Sequence, residues 1–315
     1  MAKFLIIRFS SIGDIVLTTP VVRCLKTQIS DAEVHFVTKK QFKGLVENNP
    51  YIDKYFLLEK SLNDLLTDLK SENYDYVIDL HNNLRTSIIK LRLGVKAFSF
   101  DKLNWQKWLL VNLKINKMPN VHIVDRYLAT LNDFGVVNDN KGLDYFIPPI
   151  TNPLNLEPNS YVAFAIGGQH NTKKLPNHKI IELCSKINKT IVLLGGKEDE
   201  TNGQEIADKV GEKVINYCGK CNLNQSAEIV RQSEYIITHD TGMMHIAAAL
   251  KKKVISIWGN TVPEFGMYPY QTEYKVIENK ELSCRPCSKI GYKKCPKRHF
   301  KCMEDLDFEI DFKND

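Results

Sequence analysis

Short apolar runs alternate with segments of helical period along almost the whole chain. Phe4–Phe9 reads as a buried strand, the turn Ser10-Ser11-Ile12-Gly13-Asp14 follows, and a helix carrying Ile15, Val16, Thr19, Val22 and Leu25 along one side comes next. Glu33–Thr38, Lys54–Leu58, Tyr74–Leu80 and Val95–Phe100 are further predicted strands, separated by stretches long enough to be helices. Near-continuous apolar strands joined by helical crossovers specify a parallel sheet covered on both faces. The pattern breaks at Pro148-Pro149-Ile150-Thr151-Asn152-Pro153, which can continue neither a helix nor a central strand. Beyond it the alternation restarts. Strands are expected at Tyr161–Ile166, Thr190–Leu194, Lys213–Tyr217, Tyr235–Thr238 and Lys253–Trp258. Helices are expected at Asn177–Ile187, after Glu200, at Gln225–Gln232 and at Met243–Leu250.

Two doubly wound α/β domains follow from this, residues 1–150 and 151–315, joined by a proline-rich hinge. The active site is expected in the cleft between them, because open α/β sheets bind ligands beyond the carboxyl ends of their strands. A length of 315 residues agrees, since it exceeds one ordinary core. The balance of 43% hydrophobic and 25% charged residues excludes disorder, coiled coil and collagen-like repeats. A formal charge of +6 favours anionic partners without naming one. No apolar stretch reaches the roughly 18 residues that cross a bilayer, and Arg8 and Asp14 interrupt the N-terminal one before it can serve as a signal peptide. The expected location is therefore cytoplasmic, with the eight cysteines reduced or bound to metal rather than forming a disulfide framework.

Several constellations could carry chemistry. In Ser10–Asp14, Gly13 permits unusual backbone angles and Asp14 falls in the first helical turn, either as a helix cap or as a catalytic carboxylate. In Asp240-Thr241-Gly242-Met243-Met244-His245, backbone N–H groups at a helix opening and the Thr241 hydroxyl suit a diphosphate, the alternative being a capped helix with a buried histidine. Gly167-Gly168-Gln169 followed by Lys173 and Lys174, and Gly195-Gly196 followed by Glu198, repeat the glycine-after-strand pattern. Neither a dinucleotide fingerprint nor a P-loop is present. Cys284-x-x-Cys287 with Cys295 and Cys302 suits a structural zinc site only in its opening spacing, and seven basic residues with no acid lie within it. That basic loop reads as a zinc-knuckle nucleic-acid module, a contact for an anionic substrate, or a solvated loop with free thiols. Trp105 and Trp108 with Lys102, Lys107, Lys114 and Lys117, on a predicted helix spanning Leu103–Lys117, suit a membrane interface or ordinary packing.

The stretches Ile7-Arg8-Phe9-Ser10-Ser11-Ile12-Gly13-Asp14-Ile15-Val16 and Asp240-Thr241-Gly242-Met243-Met244-His245-Ile246-Ala247-Ala248-Ala249, with Gly259-Asn260-Thr261 and the four clustered cysteines, resemble glycosyltransferase family 9, the ADP-heptose:lipopolysaccharide heptosyltransferases. The resemblance covers nearly the whole chain. It implies a GT-B architecture, an N-terminal domain for the acceptor and a C-terminal domain for the nucleotide sugar. It further implies an inverting transfer that requires no cofactor or metal. Asp14 matches the family's catalytic aspartate, Lys173 its diphosphate-neutralising lysine, and Asp240, Thr241, Gly242 and His245 its nucleotide-sugar loop. Gly168, Gln169, Glu198 and Met243 are expected around the nucleotide sugar. Ser10, Ser11, Gly13 and Arg85 are expected around the acceptor, with Arg92 and the Cys-loop lysines adding positive charge. Two departures bear on the donor: His239 stands where Asn commonly precedes Asp-Thr-Gly, and Gly168-Gln169 replaces a Thr or Ser. The implied partners are an ADP-sugar and an anionic glycolipid at the cytoplasmic face of the inner membrane, with no nucleic acid. The competing readings are a nucleotide-sugar epimerase, which needs no acceptor, and a Cys-cluster nucleic-acid binder, whose affinity falls steeply with salt.

Overall fold

A computed structural model describes residues 2–59, 61–150 and 153–308. The linker residues Thr151 and Asn152 and the last part of the C-terminal tail, 309–315, lie outside the described residues. The chain divides into two compact units: residues 1–103 with 121–148, and residues 104–120 with 149–315. The division at Pro148/Pro149 falls where the prolines end the first alternation.

The first unit is a parallel sheet of β1 (Lys3–Ile7), β2 (Glu33–Lys39), β3 (Lys54–Leu58), β4 (Tyr76–Asp79) and β5 (Lys96–Ser99), in the order β3-β2-β1-β4-β5. Its helices are α1 (Ile12–Val16), α2 (Thr19–Gln28), α3 (Leu62–Ser71), α4 (Leu84–Leu93) and α6 (Ile123–Leu128), with α5 (Asn104–Trp108) emerging between β5 and α6. The single helix expected after Asp14 is two, α1 and α2. Pro20 cannot donate to Val16 and its ring crowds that carbonyl. Thr19 Oγ1 donates to Val16 O instead, at 2.8 Å. The helix expected over Leu103–Lys117 is shorter too, with α5 followed by a π-helical turn, Leu109–Leu113.

The second unit is a six-stranded parallel sheet: β6 (Tyr161–Ala165), β7 (Thr190–Leu194), β8 (Val214–Asn216), β9 (Tyr235–His239), β10 (Lys253–Trp258) and β11 (Tyr274–Glu278), ordered β11-β10-β9-β6-β7-β8. Its helices are α7 (Asn177–Lys186), α8 (Glu200–Val210), α9 (Leu223–Gln232), α10 (Gly242–Ala249) and α11 (Lys301–Glu304). β6 explains why its sequence lacks alternation. Val162 and Phe164 enter the core on one face, while Tyr161, Ala163 and Ala165 enter the core on the other. Replacing Phe164 by Ala removes a wholly buried ring and costs about 3–5 kcal/mol. β11 is absent from the sequence reading because it is a half-exposed edge strand with polar residues.

Residues 104–120, expected in the N-terminal half, belong to the second unit. Leu110, with Val111 and Met118, packs on Val262 and Phe265, and the Lys114 ammonium binds the carbonyls of Cys284 and Pro286 at 3.2 and 2.7 Å.

Candidate active site

Each sheet reverses its winding once, and a crevice at the carboxyl ends of the strands opens at such a switch point. In the first unit the switch lies between β1 and β4, and in the second between β6 and β9. The loops leaving β1, β6 and β9 hold Ser10–Asp14, Gly167-Gly168-Gln169 and Asp240-Thr241-Gly242, and the loop leaving β4 leads to Arg85.

After β1, Ser11 caps α1. Its N–H and its hydroxyl both donate to Asp14 Oδ2, at 3.0 and 2.7 Å. Asp14 is thus part of a capping box, and its other oxygen pairs with Arg8 Nη2 at 2.5 Å. Arg8 is buried and held on several sides. Its Nε donates to Ser10 O at 2.8 Å, and its Nη1 donates to Leu80 O and, at 3.0 Å, to the Tyr127 hydroxyl. Burial alone pushes the Asp14 carboxyl up, but the Arg8 charge and the Ser11 donors outweigh it and hold the pKa at about 2. About a fifth of the Asp14 side chain remains exposed. A loop after β4 completes this surface. His81 stacks edge-on against Phe9, and its Nδ1 is buried without a hydrogen-bond partner. Burial and the neighbouring Arg8 and Lys102 charges push its pKa down to about 4, so the ring is neutral at working pH.

Ser10, Ser11, Gly13 and Asp14 therefore come together as expected, with Arg8 as their organising partner. Arg85 stands in the first turn of α4, and it lines a cavity of about 660 Å³ with Lys39, Lys40, Gln41, Leu58, Glu59 and Leu62. Arg92 does not join it. It lies in the last turn of α4, about 10 Å along the axis, where it complements the helix dipole.

In the second unit the loops after β6 and β9 meet directly. The Lys173 ammonium binds Asp240 Oδ2 at 2.6 Å and Asp240 O at 3.0 Å. Thr261, buried after β10, donates its hydroxyl to the same Asp240 oxygen at 2.7 Å. Thr241 caps α10, and Gly242 opens it. A Cβ on Gly168 would lie 3.3 Å from both the Lys174 and Thr241 side chains, so a larger residue here must push them aside by a few tenths of an ångström. His239 is fully buried and accepts from the Leu175 N–H at Nε2, 3.0 Å away. Burial and the Lys174 charge drive its pKa down to about 3, so it is a neutral structural ring that fixes the Lys173–Leu175 loop to the end of β9. His245 is buried in the first turn of α10, and Met243 packs against the core. Gln169 is exposed. Glu198 lies exposed beside Gly196, while its neighbour Asp199 is buried and pairs with Lys174 at 3.0 Å.

Among the described residues no three of the four clustered cysteines bring their Sγ atoms within 4.8 Å of one another, although the four are electrostatic neighbours. Cys302 is buried with Met303 and Leu306 in the core, and burial pushes its thiol up to about 12. Cys284 Sγ faces His299 Nε2 at 3.9 Å, and the Cys287 thiol donates to Cys284 O. Among the described residues, the one trio with donor atoms mutually within 4.8 Å is Glu33, His35 and Glu72. Lys3 and Lys54 already neutralise its carboxylates, at the amino ends of the strands. Arg285 explains the loop's order instead. Its guanidinium collects the carbonyls of Trp258, Gly259, Thr261 and Asn279 and pairs with Glu278 at 2.9 Å. Arg8, Tyr127, His81 and Thr261 carry no role in the sequence reading, although Arg8 and Thr261 lie inside the quoted motifs.

A family model for glycosyltransferase family 9 (heptosyltransferase) matches residues 63–297. The lipopolysaccharide heptosyltransferase 1 of Campylobacter coli is 25% identical over 307 residues, covering 88% of each chain. The lipooligosaccharide heptosyltransferase 2 of Haemophilus influenzae is 24% identical, covering 92% of this chain and 93% of its own. Among solved structures, a family 9 glycosyltransferase from Veillonella parvula superposes with a TM-score of 0.74 at 21% identity, covering 88% of this chain and 86% of its own. An E. coli heptosyltransferase solved with ADP superposes at 0.69 and 20% identity, covering 87% and 93%. The fold is that of the GT-B enzymes, and the chain belongs to glycosyltransferase family 9 and is a glycosyltransferase.

Proposed function

We propose that this enzyme transfers a heptose, or a closely related sugar, from an ADP-sugar to a lipopolysaccharide core or similar anionic glycolipid, with inversion and without a metal requirement. The first unit binds the acceptor and the second the donor. One observation carries the reading: the two switch points hold complementary chemistry, an ionised carboxylate in the first and a lysine–aspartate pair at a helix opening in the second. The relatives named as heptosyltransferases support the sugar.

In this reading Asp14 accepts the proton of the attacking acceptor hydroxyl. A carboxylate with a pKa near 2 is a weak base, which suits a transition state in which the glycosidic bond breaks first and proton transfer follows. The departing diphosphate carries growing charge. Lys173, the Thr241 hydroxyl and the N–H groups opening α10 meet it, and Lys173 releases Asp240 as it does so. Lys39, Lys40 and Arg85 give the first-unit cavity an excess of positive charge for acid groups on the acceptor. The test is transfer from ADP-heptose to a purified core acceptor, with and without EDTA, reading the anomeric configuration of the product. Donor turnover without acceptor would make the protein an epimerase or hydrolase, and loss of transfer in EDTA would end the metal-free reading.

A further inference from the structure

The segment 104–120 carries two of the most exposed aromatic rings of the molecule. Trp105 and Trp108 are 65% and 47% exposed and stack on each other, centroids 5.3 Å apart and planes within 6°. Leu113 and Ile115 beyond them are exposed too, whereas Leu110 is the residue that anchors the segment to Val262 and Phe265. The Lys114 bridge to Cys284 O and Pro286 O ties this segment to the loop 284–301, which exposes Ile290 and Tyr292. Together the two segments contain ten Lys and Arg and no Asp or Glu, while the rest of the chain is formally net negative. Arg285 is buried, but the other nine cations reach the surface, so the basic excess of the whole protein sits mainly on this apolar-studded part of the second unit. Monomeric proteins rarely leave such a cluster bare without a partner.

We propose that residues 104–120 and 284–301 form a docking face for an anionic phospholipid surface, with the tryptophan pair and the aliphatic tips entering the headgroup region and the lysines meeting lipid phosphates. This rests on the lipid-linked acceptor proposed above. Tryptophan belongs at the membrane interface because its ring is apolar and its N–H stays wet. Nucleic acid fits less well. Leu113, Ile115 and Ile290 offer neither stacking faces nor hydrogen bonds to bases. No helix among the described residues is long and apolar enough to cross a membrane, so contact at this face would be peripheral.

The test uses the full chain in flotation with phosphatidylethanolamine–phosphatidylglycerol vesicles, with phosphatidylcholine vesicles and single-stranded RNA as alternatives. The wild type is expected to float with the anionic vesicles at low salt and to release as salt screens the lysines. Trp105→Ala/Trp108→Ala should weaken partitioning by roughly tenfold or more. Lys293→Gln, Lys294→Gln and Lys297→Gln should weaken it by roughly fivefold per cation removed. Leu113→Gln/Ile115→Gln is the second apolar variant, should the tryptophan variant fail to fold. Transfer to a water-soluble acceptor fragment should stay at wild-type level in both apolar variants. Equal partitioning of wild type and variants, or binding to RNA with none to vesicles, would overturn the proposal. Absent transfer to the soluble acceptor, with vesicle binding intact, would instead remove the functional reading and leave the surface standing.

Discussion

Asp14 and Asp240 each lie at the opening of a helix at a switch point, and each faces one cation. The cations are held in opposite ways. Arg8 is buried and spends its rigid fork on two carbonyls, a phenol hydroxyl and the carboxylate. Lys173 gives its ammonium to one residue, through both the carboxylate and the carbonyl of Asp240. An arginine anchored on three other groups cannot leave its aspartate, so Asp14 stays ionised and fixed in direction. A lysine on a flexible stem can turn from Asp240 to a diphosphate and exchange one anion for another. The same pair of charge types thus makes an immobile base in one unit and an exchangeable charge in the other.

Breaking the two pairs should separate them. Asp14→Asn keeps the shape and should lower kcat by roughly 10²–10⁴-fold, the range for a general base. Donor affinity, measured by calorimetry, should stay within about twofold; near-normal turnover would strip Asp14 of its role. Lys173→Ala should reduce kcat/KM by roughly 10²–10³-fold, as loss of a transition-state charge partner does. Its melting temperature should fall less than that of the Arg8 variant, because Thr261 still holds Asp240 and Lys173 binds no other residue's carbonyl. Arg8→Met is the mirror case. It leaves a carboxylate without its ion partner and should destabilise the first unit by about 3–5 kcal/mol, read as a large drop in melting temperature. Comparable stability losses in the Arg8 and Lys173 variants would erase the distinction between anchored and exchangeable cations. Thr261→Val removes one charged hydrogen bond and should cost about tenfold in kcat/KM while leaving the fold intact.

The sequence displays the elements whose information is local. Buried parallel strands such as Thr190–Leu194 and Lys253–Trp258 read correctly because both of their faces are apolar. Asp14, Lys173 and Asp240 stand out as candidates because each lies in the turn after a strand, at or before the opening of the next helix. What was not visible depends on distance. Tyr127 reaches Arg8 across 119 positions and Lys173 meets Asp240 across 67, and no periodicity encodes either pairing. The assignment of 104–120 to the second unit was hidden for the same reason, since Leu110 and Lys114 find their partners more than 150 residues later. The cysteines are a case where spacing and packing carry different information: Cys284-x-x-Cys287 is local, whereas Cys302 comes near the other three only through the packing of the core.

The smallest effect expected on the rate is that of pH near neutrality, and it follows from the anchored side of the comparison. Asp14 titrates at about 2 and His81 at about 4, so neither changes charge between about pH 5.5 and 8.5. The kcat profile should be flat there. Stability behaves otherwise. In the unfolded chain the His81 imidazole takes a proton near 6.5, but in the folded one only near 4, so acidification through that window favours unfolding. The Asp14 contribution runs in the same direction at lower pH: its stabilisation is complete above about 3.8, worth about 2 kcal/mol, and is lost as pH falls through about 2. His81→Gln should therefore flatten the decline in melting temperature between pH 6.5 and 4 and leave kcat near pH 7.5 close to wild type, while Asp14→Asn should flatten only the part below pH 4. An inflection in kcat between pH 6 and 7 that His81→Gln abolishes would mean that the imidazole, rather than the carboxylate fixed by Arg8, moves the acceptor's proton.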